Sequence, residues 1–271
     1  MGIVAVYYKK LSDAPLLVAM NREESPTRDS LPPKIQSGRP RAVCGVDQQS
    51  GGTWAGVNQY GLFVAVVNCP KKVLPGDPRS RGLLCRELLG CQNAEEALDT
   101  AQRELQTGCY AGANFVCVDR TSGGAVHGGD DVDIVQFKPG LHILSENRVN
   151  DINDYRQEFV RRLLTLQRID TAIAFFAVAS RAFSSNPGTS GRMGILIKKP
   201  NIQTVSSMLV SLTEKTQRSV MQYAAGSPDM APYEDVSALL RQVLSTDRAA
   251  RAAAAAKEAR AKAVAAEHGE N

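Results

Sequence analysis

The 271-residue chain is 43% hydrophobic and has a net charge of +4, which provides enough apolar sequence for one domain or two closely joined ones. The small basic excess is not gathered into one stripe, so we infer no nucleic-acid partner, and no apolar run approaches the roughly 18–20 residues of a membrane-spanning helix. The six cysteines form no Cys-x-x-Cys pair and follow no signal-peptide pattern, so we expect reduced thiols in a cytoplasmic protein.

Two apolar runs near the start of the chain predict a β-hairpin. Ile3–Tyr8 and Leu16–Met20 are rich in β-branched, aromatic and aliphatic residues, and turn-forming residues separate them. The second strand is expected to stop at the polar stretch Asn21-Arg22-Glu23-Glu24. Because sites are commonly built where strands end, this stretch is the first candidate for a functional site.

A loop and three short strands are predicted next. Ser25–Pro40 is rich in Pro, Ser and Arg, which is typical of an extended surface loop. Ala42–Val46 predicts a strand, and Thr53–Val57 with Leu62–Val67 predicts a hairpin. Trp54, the single tryptophan, either packs in the core beneath the sheet or contacts a ligand.

Helices and strands alternate in blocks through the rest of the chain. Helical spacing predicts helices over Arg79–Leu89, Ala94–Leu105, Asn153–Gln167 and Thr171–Phe183. Strand patterns cover Asn114–Asp119, Gly124–His127, Val132–Phe137, Leu141–Leu144, Arg192–Ile197, Val205–Leu212 and Arg218–Ala224. The last predicted helix is apolar nearly all round, so we expect it to be buried. The Ala-rich residues 246–271 predict a helical or disordered tail beside a 1–245 domain.

Several motifs resemble one protein family. Asn21-Arg22-Glu23-Glu24 is similar to the Asn-Arg-Asp-Glu signature of the NRDE family, which includes the transport and Golgi organisation protein of animals. Further blocks of similarity are Gly51–Asn58, Tyr60–Leu62, Val66–Asn68, Ser80–Gly82, Pro139-Gly140, Leu144-Ser145, Asn150-Asp151, Gly188–Ser190 and Pro232–Asp235. Their order and spacing agree with the family over roughly residues 1 to 240.

The resemblance implies an α+β fold, the four-layer αββα sandwich of N-terminal nucleophile hydrolases. In that fold the residue exposed by methionine removal attacks an amide or thioester, and its own α-amino group acts as the base. The family usually has Cys at position 2, whereas this chain has Gly2, which carries no nucleophile.

Three interpretations of Gly2 follow. The protein binds a ligand on an enzyme's scaffold, the Gly is a change introduced into a native Cys codon, or another nucleophile is used. Cys69, beside the strand-end Asn68, is the candidate for that other nucleophile, although a small buried thiol is the ordinary role of such a residue.

The resemblance also implies roles for supporting residues. Arg22 would bind a carboxylate or phosphate or orient the amine, and Asn68 would stabilise an oxyanion unless it only forms the strand-end turn. Glu146 stands where the family usually places Asn, with Asn147 one step later. An ionised carboxylate cannot donate to an oxyanion, so this departure also favours altered or absent catalysis. Glu23 replaces the signature Asp.

We therefore expect a family member that binds or carries a small ligand such as haem or acyl-CoA, without turnover. The predicted ligand-binding residues are Asn21, Arg22, Glu23, Glu24, Trp54 and Cys69. Cys69-Pro70 could supply a thiolate to haem. For acyl-CoA, Arg22 and Arg28 with the Lys71-Lys72 loop could meet phosphates, and a pocket lined by Trp54, Phe63 and Val66 could hold the acyl chain. The alternatives are an N-terminal cysteine amidohydrolase or acyltransferase whose nucleophile is missing, and an interaction module that uses the tail. With three histidines, the sequence predicts no polyhistidine metal centre.

Overall fold

The computed structural model describes residues 2–186 and 194–245. The strands are β1 (Gly2–Tyr8), β2 (Leu16–Glu24), β3 (Ser30–Gln36), β4 (Ala42–Asp47), β5 (Ala55–Asn58), β6 (Phe63–Asn68), β7 (Ala113–Val118), β8 (Gly123–Gly128), β9 (Val132–Gln136), β10 (Gly140–Leu144), β11 (Lys198–Lys199), β12 (Ile202–Leu212), β13 (Val220–Ala224) and β14 (Glu234–Asp235). The helices are α1 (Arg81–Leu88), α2 (Ala94–Gln106), α3 (Tyr155–Thr165) and α4 (Ala172–Phe183), and residues 237–245 are also helical.

Two antiparallel sheets organise these elements. The first sheet has the order β10-β1-β2-β12-β13-β14, with β11 paired to β12, so it combines the start of the chain with its last described strands. The second sheet is a meander that runs from β3 to β9 without a crossover. The long-range pairing of β2 with β12 places the polar end of β2 inside the first sheet.

Alternate side chains of each strand pack in different layers of the fold. Val4 and Val6 of β1 belong to the apolar core between the two sheets, whereas Ile3 and Ala5 pack under α3 and α4. On β7, in the same way, alternate residues face the other sheet or the pair α1 and α2. Because strand side chains alternate with a period of two, each sheet buries both faces. This arrangement confirms the predicted α+β four-layer αββα sandwich.

Polar side chains cap the four named helices as the sequence pattern requires. Ser80, Asn93, Asp154 and Thr171 are the N-cap residues, and each side chain accepts a backbone N–H of the first helical turn. Such a cap contributes about 1 kcal/mol by satisfying a donor that has no partner within the helix. The four predicted helices are confirmed, with boundaries that differ by a few residues.

The predicted surface loop over Ser25–Pro40 is wrong, because it contains the edge strand β3. Pro32 and Pro33 lie in that strand, and its register with β4 shifts between Leu31 and Lys34. Proline is tolerated on an edge strand and at a bulge, since no ladder N–H is needed there. The Pro-rich composition therefore concealed a strand.

The second predicted strand does not stop where the polar stretch begins but runs through it. β2 continues through Glu24 because it pairs on both sides, with Gly2 opposite Arg22 in β1 and Thr204 opposite Glu23 in β12. Asn21, Arg22 and Glu23 are buried. Pairing on both edges outweighed the low strand propensity of these polar residues.

Two expectations toward the C-terminus need correction. α4 is not buried all round, since Ile173 is 82% exposed while Phe175 and Phe183 are fully buried. The strand predicted over Arg192–Ile197 is irregular at residues 194–197 and lies otherwise outside the described residues; the strand in this region is β11. The Ala-rich tail, 246–271, also lies outside them. In the described ranges, no helix is both long and apolar enough to cross a membrane.

Two glycines join the second sheet to α1. The Thr53 N–H donates to the Gly82 carbonyl at 2.9 Å, and the backbones approach so closely that a Cβ on Gly52 would lie 2.3 Å from the Gly82 carbonyl carbon. Only a residue without a Cβ fits such an approach. This contact holds the first turn of α1, with Ser80 and Arg81, against the turn before β5.

Replacing Gly52 with Ala should lower the free energy of unfolding by about 1–3 kcal/mol, because the added methyl group forces backbone shifts in a packed contact. Urea denaturation of both proteins measures the difference. Gly76→Ala is the matched control, since nothing lies within 4 Å of a Cβ there. The control should be neutral or stabilising by up to about 1 kcal/mol. Equal stability of the two variants would contradict the proposed backbone contact.

Candidate functional site

A cleft of about 380 Å³ opens where one end of each sheet meets the first turn of α1. It is lined from β2, from the turn after β4, from the end of β6 and from residues 78–82. Its charged lining residues are Arg22, Glu23, Glu24, Arg28, Asp47, Arg79 and Arg81. A concave site with converging polar groups is the ordinary form of a small-molecule site.

Arg22 bridges the two sheets at this end of the fold. It lies on β2 of the first sheet, and its guanidinium donates to Asp47 Oδ2 on β4 at 3.1 Å and to Ser30 Oγ on β3 at 3.3 Å. The guanidinium carbon also lies 4.4 Å from the ring centroid of Trp54, a favourable cation–π distance. Arg22 is only 5% exposed, so most of its surface contacts other protein atoms, and the small remainder borders the cleft.

Asp47 receives hydrogen bonds from three residues. Arg28 Nε donates to Oδ2 at 2.7 Å, and the Ser50 N–H and hydroxyl donate to Oδ1 at 2.9 and 3.0 Å. Burial by itself would raise the pKa of the carboxyl, but the bonds from Arg28 and Ser50 outweigh it and hold the pKa of Asp47 below its ordinary value. Asp47 is therefore an ionised anchor for two arginines.

Trp54 belongs both to the core and to the cleft. It is 6% exposed, it is part of the apolar core between the sheets, and it also lines the cleft. Its ring fills the space above Gly45, where a Cβ would lie 2.2 Å from the nearest ring atom. The two roles considered for this tryptophan are thus compatible with one position.

Gly2 is the first residue of β1 and pairs with Arg22. A Cβ at this position would lie 3.5 Å from Val67 Cγ2 and 3.9 Å from Met20 Cε, on the side of β1 that faces the second sheet. It would also lie 2.9 Å from the Asn21 carbonyl oxygen, so a side chain here requires a small backbone shift. A nucleophile at position 2 would therefore enter the space between the sheets beside Arg22.

The four polar residues at the end of β2 divide between two faces. Arg22 and Glu24 face the cleft, whereas Asn21 donates from Nδ2 to the Phe183 carbonyl of α4 at 2.9 Å. Glu23 borders the cleft, but its carboxylate pairs with Arg156 of α3, and both side chains are almost fully buried. Burial raises the pKa of Glu23, and the charge of Arg156 opposes that rise.

Asn68, the residue predicted to stabilise an oxyanion, lies at the cleft. It ends β6, its backbone pairs with Ala113, and it lines the cleft. Within the described part of the chain, its side chain makes no hydrogen bond to the protein. Its amide is therefore available to a bound molecule.

The loop after β10 holds Glu146 and Asn147. Asn147 Nδ2 donates to Asp154 Oδ2 at 3.0 Å, and Ser145 Oγ donates to the same carboxylate oxygen. The buried Asn114 donates to the Ser145 and Asn147 carbonyls at 3.0 and 2.8 Å. Asn147 is thus tied into the loop, and Glu146 between these residues is half-buried.

Cys69 is a buried thiol next to this site. Desolvation by burial raises its pKa to about 11, and the nearby Gly128 N–H only partly offsets this. At neutral pH the residue is a protonated thiol, which is a poor nucleophile and a poor metal ligand. This environment disfavours the predicted roles of Cys69 as a nucleophile or a thiolate ligand.

Sequence reasoning did not select three residues that organise the site: Asp47, Arg81 and Asn114. Arg81 drew attention only as part of a family motif, although its position beside the helix N-cap Ser80 points to the start of α1. Asp47 and Asn114 lie at the ends of apolar strands and carried no other signal. Among the described residues, no group of three or more His, Cys, Asp or Glu side chains could hold a metal ion.

Replacing Asp47 with Asn should lower the free energy of unfolding by about 3 kcal/mol at neutral pH, because Arg22 would remain buried without a carboxylate. The pKa of Asp47 is lowered by folding, so its contribution is fully present above an unfolded pKa of about 3.9 and is lost as the pH falls through the folded value. The difference between parent and variant should therefore narrow under acid. Urea denaturation from neutral pH down to about pH 3 tests this.

Asp131→Asn is the control for that experiment. Asp131 pairs with Arg148, but its side chain is 67% exposed and the pair is screened by solvent, so the substitution should leave the free energy of unfolding nearly unchanged. A loss of equal size in the two variants, or a loss for Asp47→Asn that does not change with pH, would contradict the anchoring role of Asp47.

Several proteins of known structure are similar to this chain. The chain resembles an N-acylethanolamine-hydrolyzing acid amidase ortholog from Caenorhabditis elegans, at 12% identity and a TM-score of 0.51, over 76% of this chain and 91% of that one. It also resembles penicillin V acylase from Agrobacterium tumefaciens, at 14% identity and a TM-score of 0.48, over 82% of each chain. A third similar structure is a variant of the conjugated bile acid hydrolase from Clostridium perfringens, at 10% identity and a TM-score of 0.46, over 83% of this chain and 89% of that one.

The structural similarity to the Caenorhabditis elegans amidase ortholog supports the fold alone, whereas the sequence identifies the family. No curated protein matches the sequence significantly. The sequence model of the family described as "Transport and Golgi organisation 2" matches residues 1–221, which is most of the chain. The chain therefore belongs to the Transport and Golgi organisation 2 family and has the fold of N-terminal nucleophile hydrolases.

Proposed function

We propose that this protein binds and carries a small organic ligand in the cleft, on a hydrolase scaffold that lacks the nucleophile at position 2. The observation that supports this is the position of Gly2, which pairs with Arg22 at the cleft and offers no side chain for attack. Covalent catalysis in this fold needs a hydroxyl or thiol at that residue. A cleft without a nucleophile is suited to binding without turnover.

The lining of the cleft supports an amphipathic ligand. Met20 and Trp54 are buried and, with Val66, form an apolar wall, whereas Arg28 and Arg81 are only partly buried. An acyl chain would contact the wall, and a polar end group would meet the arginines. An acyl thioester such as acyl-CoA has both parts.

Haem is the less supported ligand. Its case rested on Cys69-Pro70 as a source of thiolate, and burial raises the pKa of the Cys69 thiol to about 11. Forming a thiolate there at neutral pH is unfavourable. We therefore place acyl-CoA or a related acyl compound before haem.

Native mass spectrometry of freshly and gently purified protein tests the carrier proposal. We expect an added mass that is released by denaturation, because the cleft encloses an apolar wall, and peptide mapping of the N-terminus should show an unmodified Gly2. Denatured protein from the same preparation is the control for covalent adducts. Protein that carries no ligand and does not bind added acyl-CoA would contradict the proposal.

The second candidate function is an N-terminal cysteine amidohydrolase or acyltransferase whose nucleophile is absent from this chain. It is favoured by the direction of a Cβ at position 2, which would face Val67 and Met20 beside Arg22. There a thiol would be close to the cleft and to the α-amino group, whose ordinary pKa of about 8 suits a base. Asn68, with a side chain not bonded to the described part of the protein, would be the oxyanion donor.

Gly2→Cys should create an acyl-enzyme adduct, visible by intact mass, with a member of a panel of small amides and thioesters. Gly2→Ala is the matched control, since it adds the same Cβ close to the Asn21 carbonyl but no thiol. The two variants should unfold at similar temperatures, which separates steric strain from chemistry. If the Cys variant folds and is processed to a free Cys yet acquires no adduct, this second function is excluded.

A further inference from the structure

We propose that Arg81, together with Arg28, forms a seat for one oxyanion, a carboxylate or a phosphate, at the mouth of the cleft. This inference rests on the proposed ligand-binding function of the cleft, and it names the group by which the ligand is held. It assigns that role to Arg81 rather than to Arg22, the residue that the sequence motif points to.

The hydrogen bonds of the three arginines differ. Arg22 is bound by Asp47, Ser30 and the face of Trp54. Arg28 donates twice to Asp47, from Nε at 2.7 Å and from Nη2 at 3.2 Å, which leaves its remaining N–H groups for a ligand. These two residues therefore use much of their capacity on one carboxylate.

Arg81 is the cation with most capacity left. In the part of the chain that the structure describes, its guanidinium makes one hydrogen bond, from Nη1 to the Gly112 carbonyl at 3.0 Å, and no ion pair. A guanidinium has five N–H donors in a planar fork that matches a carboxylate or phosphate. The Gly112 bond orients the side chain, so the seat is preorganised.

The charges around Arg81 leave room for one negative charge. Two of the charged lining residues already have partners outside the cleft, because Glu23 pairs with Arg156 and Arg79 pairs with Glu104. The remaining charged residues are three arginines and two carboxylates: Arg22, Arg28, Arg81, Asp47 and Glu24. Burial lowers the pKa of Arg81, and the charge of Glu24 opposes this shift. A bound oxyanion would offset both the burial of the guanidinium and its repulsion from Arg28.

The position of the seat defines the class of ligand. Arg81 and Arg28 are partly buried, whereas Met20 and Trp54 of the apolar wall are buried. A molecule with an oxyanion at one end and an acyl chain at the other would satisfy both regions at once. A fatty carboxylate and the phosphates of an acyl-CoA share this chemistry, and the experiment separates them.

Calorimetric titration with octanoate, coenzyme A and inorganic phosphate tests the seat. For the probe that binds the parent most tightly, Arg81→Met should weaken binding by about tenfold or more, because a charge-assisted hydrogen bond is lost. Arg81→Lys should bind with intermediate strength, since it keeps the charge but loses the fork. Tighter binding of octanoate identifies a carboxylate, and tighter binding of coenzyme A identifies a phosphate.

Arg103→Met is the matched control. Arg103 lies on α2 outside the cleft lining, it is exposed, and its guanidinium donates to Thr100 Oγ1. The control makes the same change in net charge but lies outside the cleft, so it should leave the affinity for the probe unchanged. Unfolding temperatures of all variants show whether a loss of binding reflects a loss of fold.

Two results would overturn the seat, and they bear differently on the carrier proposal. If a probe binds the parent and Arg81→Met equally well, the seat is wrong while ligand binding in the cleft stands. If none of the three probes binds the parent, the seat is again wrong. In that case the carrier proposal fails only if native mass spectrometry also shows no retained or added ligand.

Discussion

The ion pair between Arg22 and Asp47 is the constraint on which the cleft depends. It connects the first sheet to the second at their open end, and the face of Trp54 completes the enclosure of the guanidinium. A buried ion pair of this kind adds little net stability, but breaking it is costly. Its contribution is therefore to specify how the two sheet ends stand relative to each other.

The side chains at the polar end of β2 lie on opposite faces of the sheet, because strand side chains alternate. Arg22 faces the second sheet and the cleft, while Glu23 faces the helical layer, where it pairs with Arg156. One short motif thus connects three of the four layers. These contacts explain why a motif of charged residues is buried. Asn68 and Arg81 also line the cleft, and within the described residues their side chains make at most one hydrogen bond each.

The region around Gly2 lies where β1 pairs with the polar end of β2, beside the cleft. The strand pairing with Arg22 is complete, Asn68 lines the cleft, and Asn114 fastens the loop that carries Glu146. Adding a side chain at position 2 requires a small shift of the backbone near Asn21. The two proposed functions predict different behaviour of a cysteine variant at position 2, so experiment can separate them.

The sequence by itself determined the elements that depend on local chemistry. Alternating apolar runs located most strands, and the caps at Asn93 and Thr171 located helices, because these signals act within a few residues. Only the tertiary structure decided what depends on distant partners. It made β3 an edge strand despite its prolines, and it extended β2 through charged residues that pair across layers. It also gathered Asp47 and Arg81 at one cleft, since long-range strand pairing and helix packing, rather than sequence spacing, bring these side chains together.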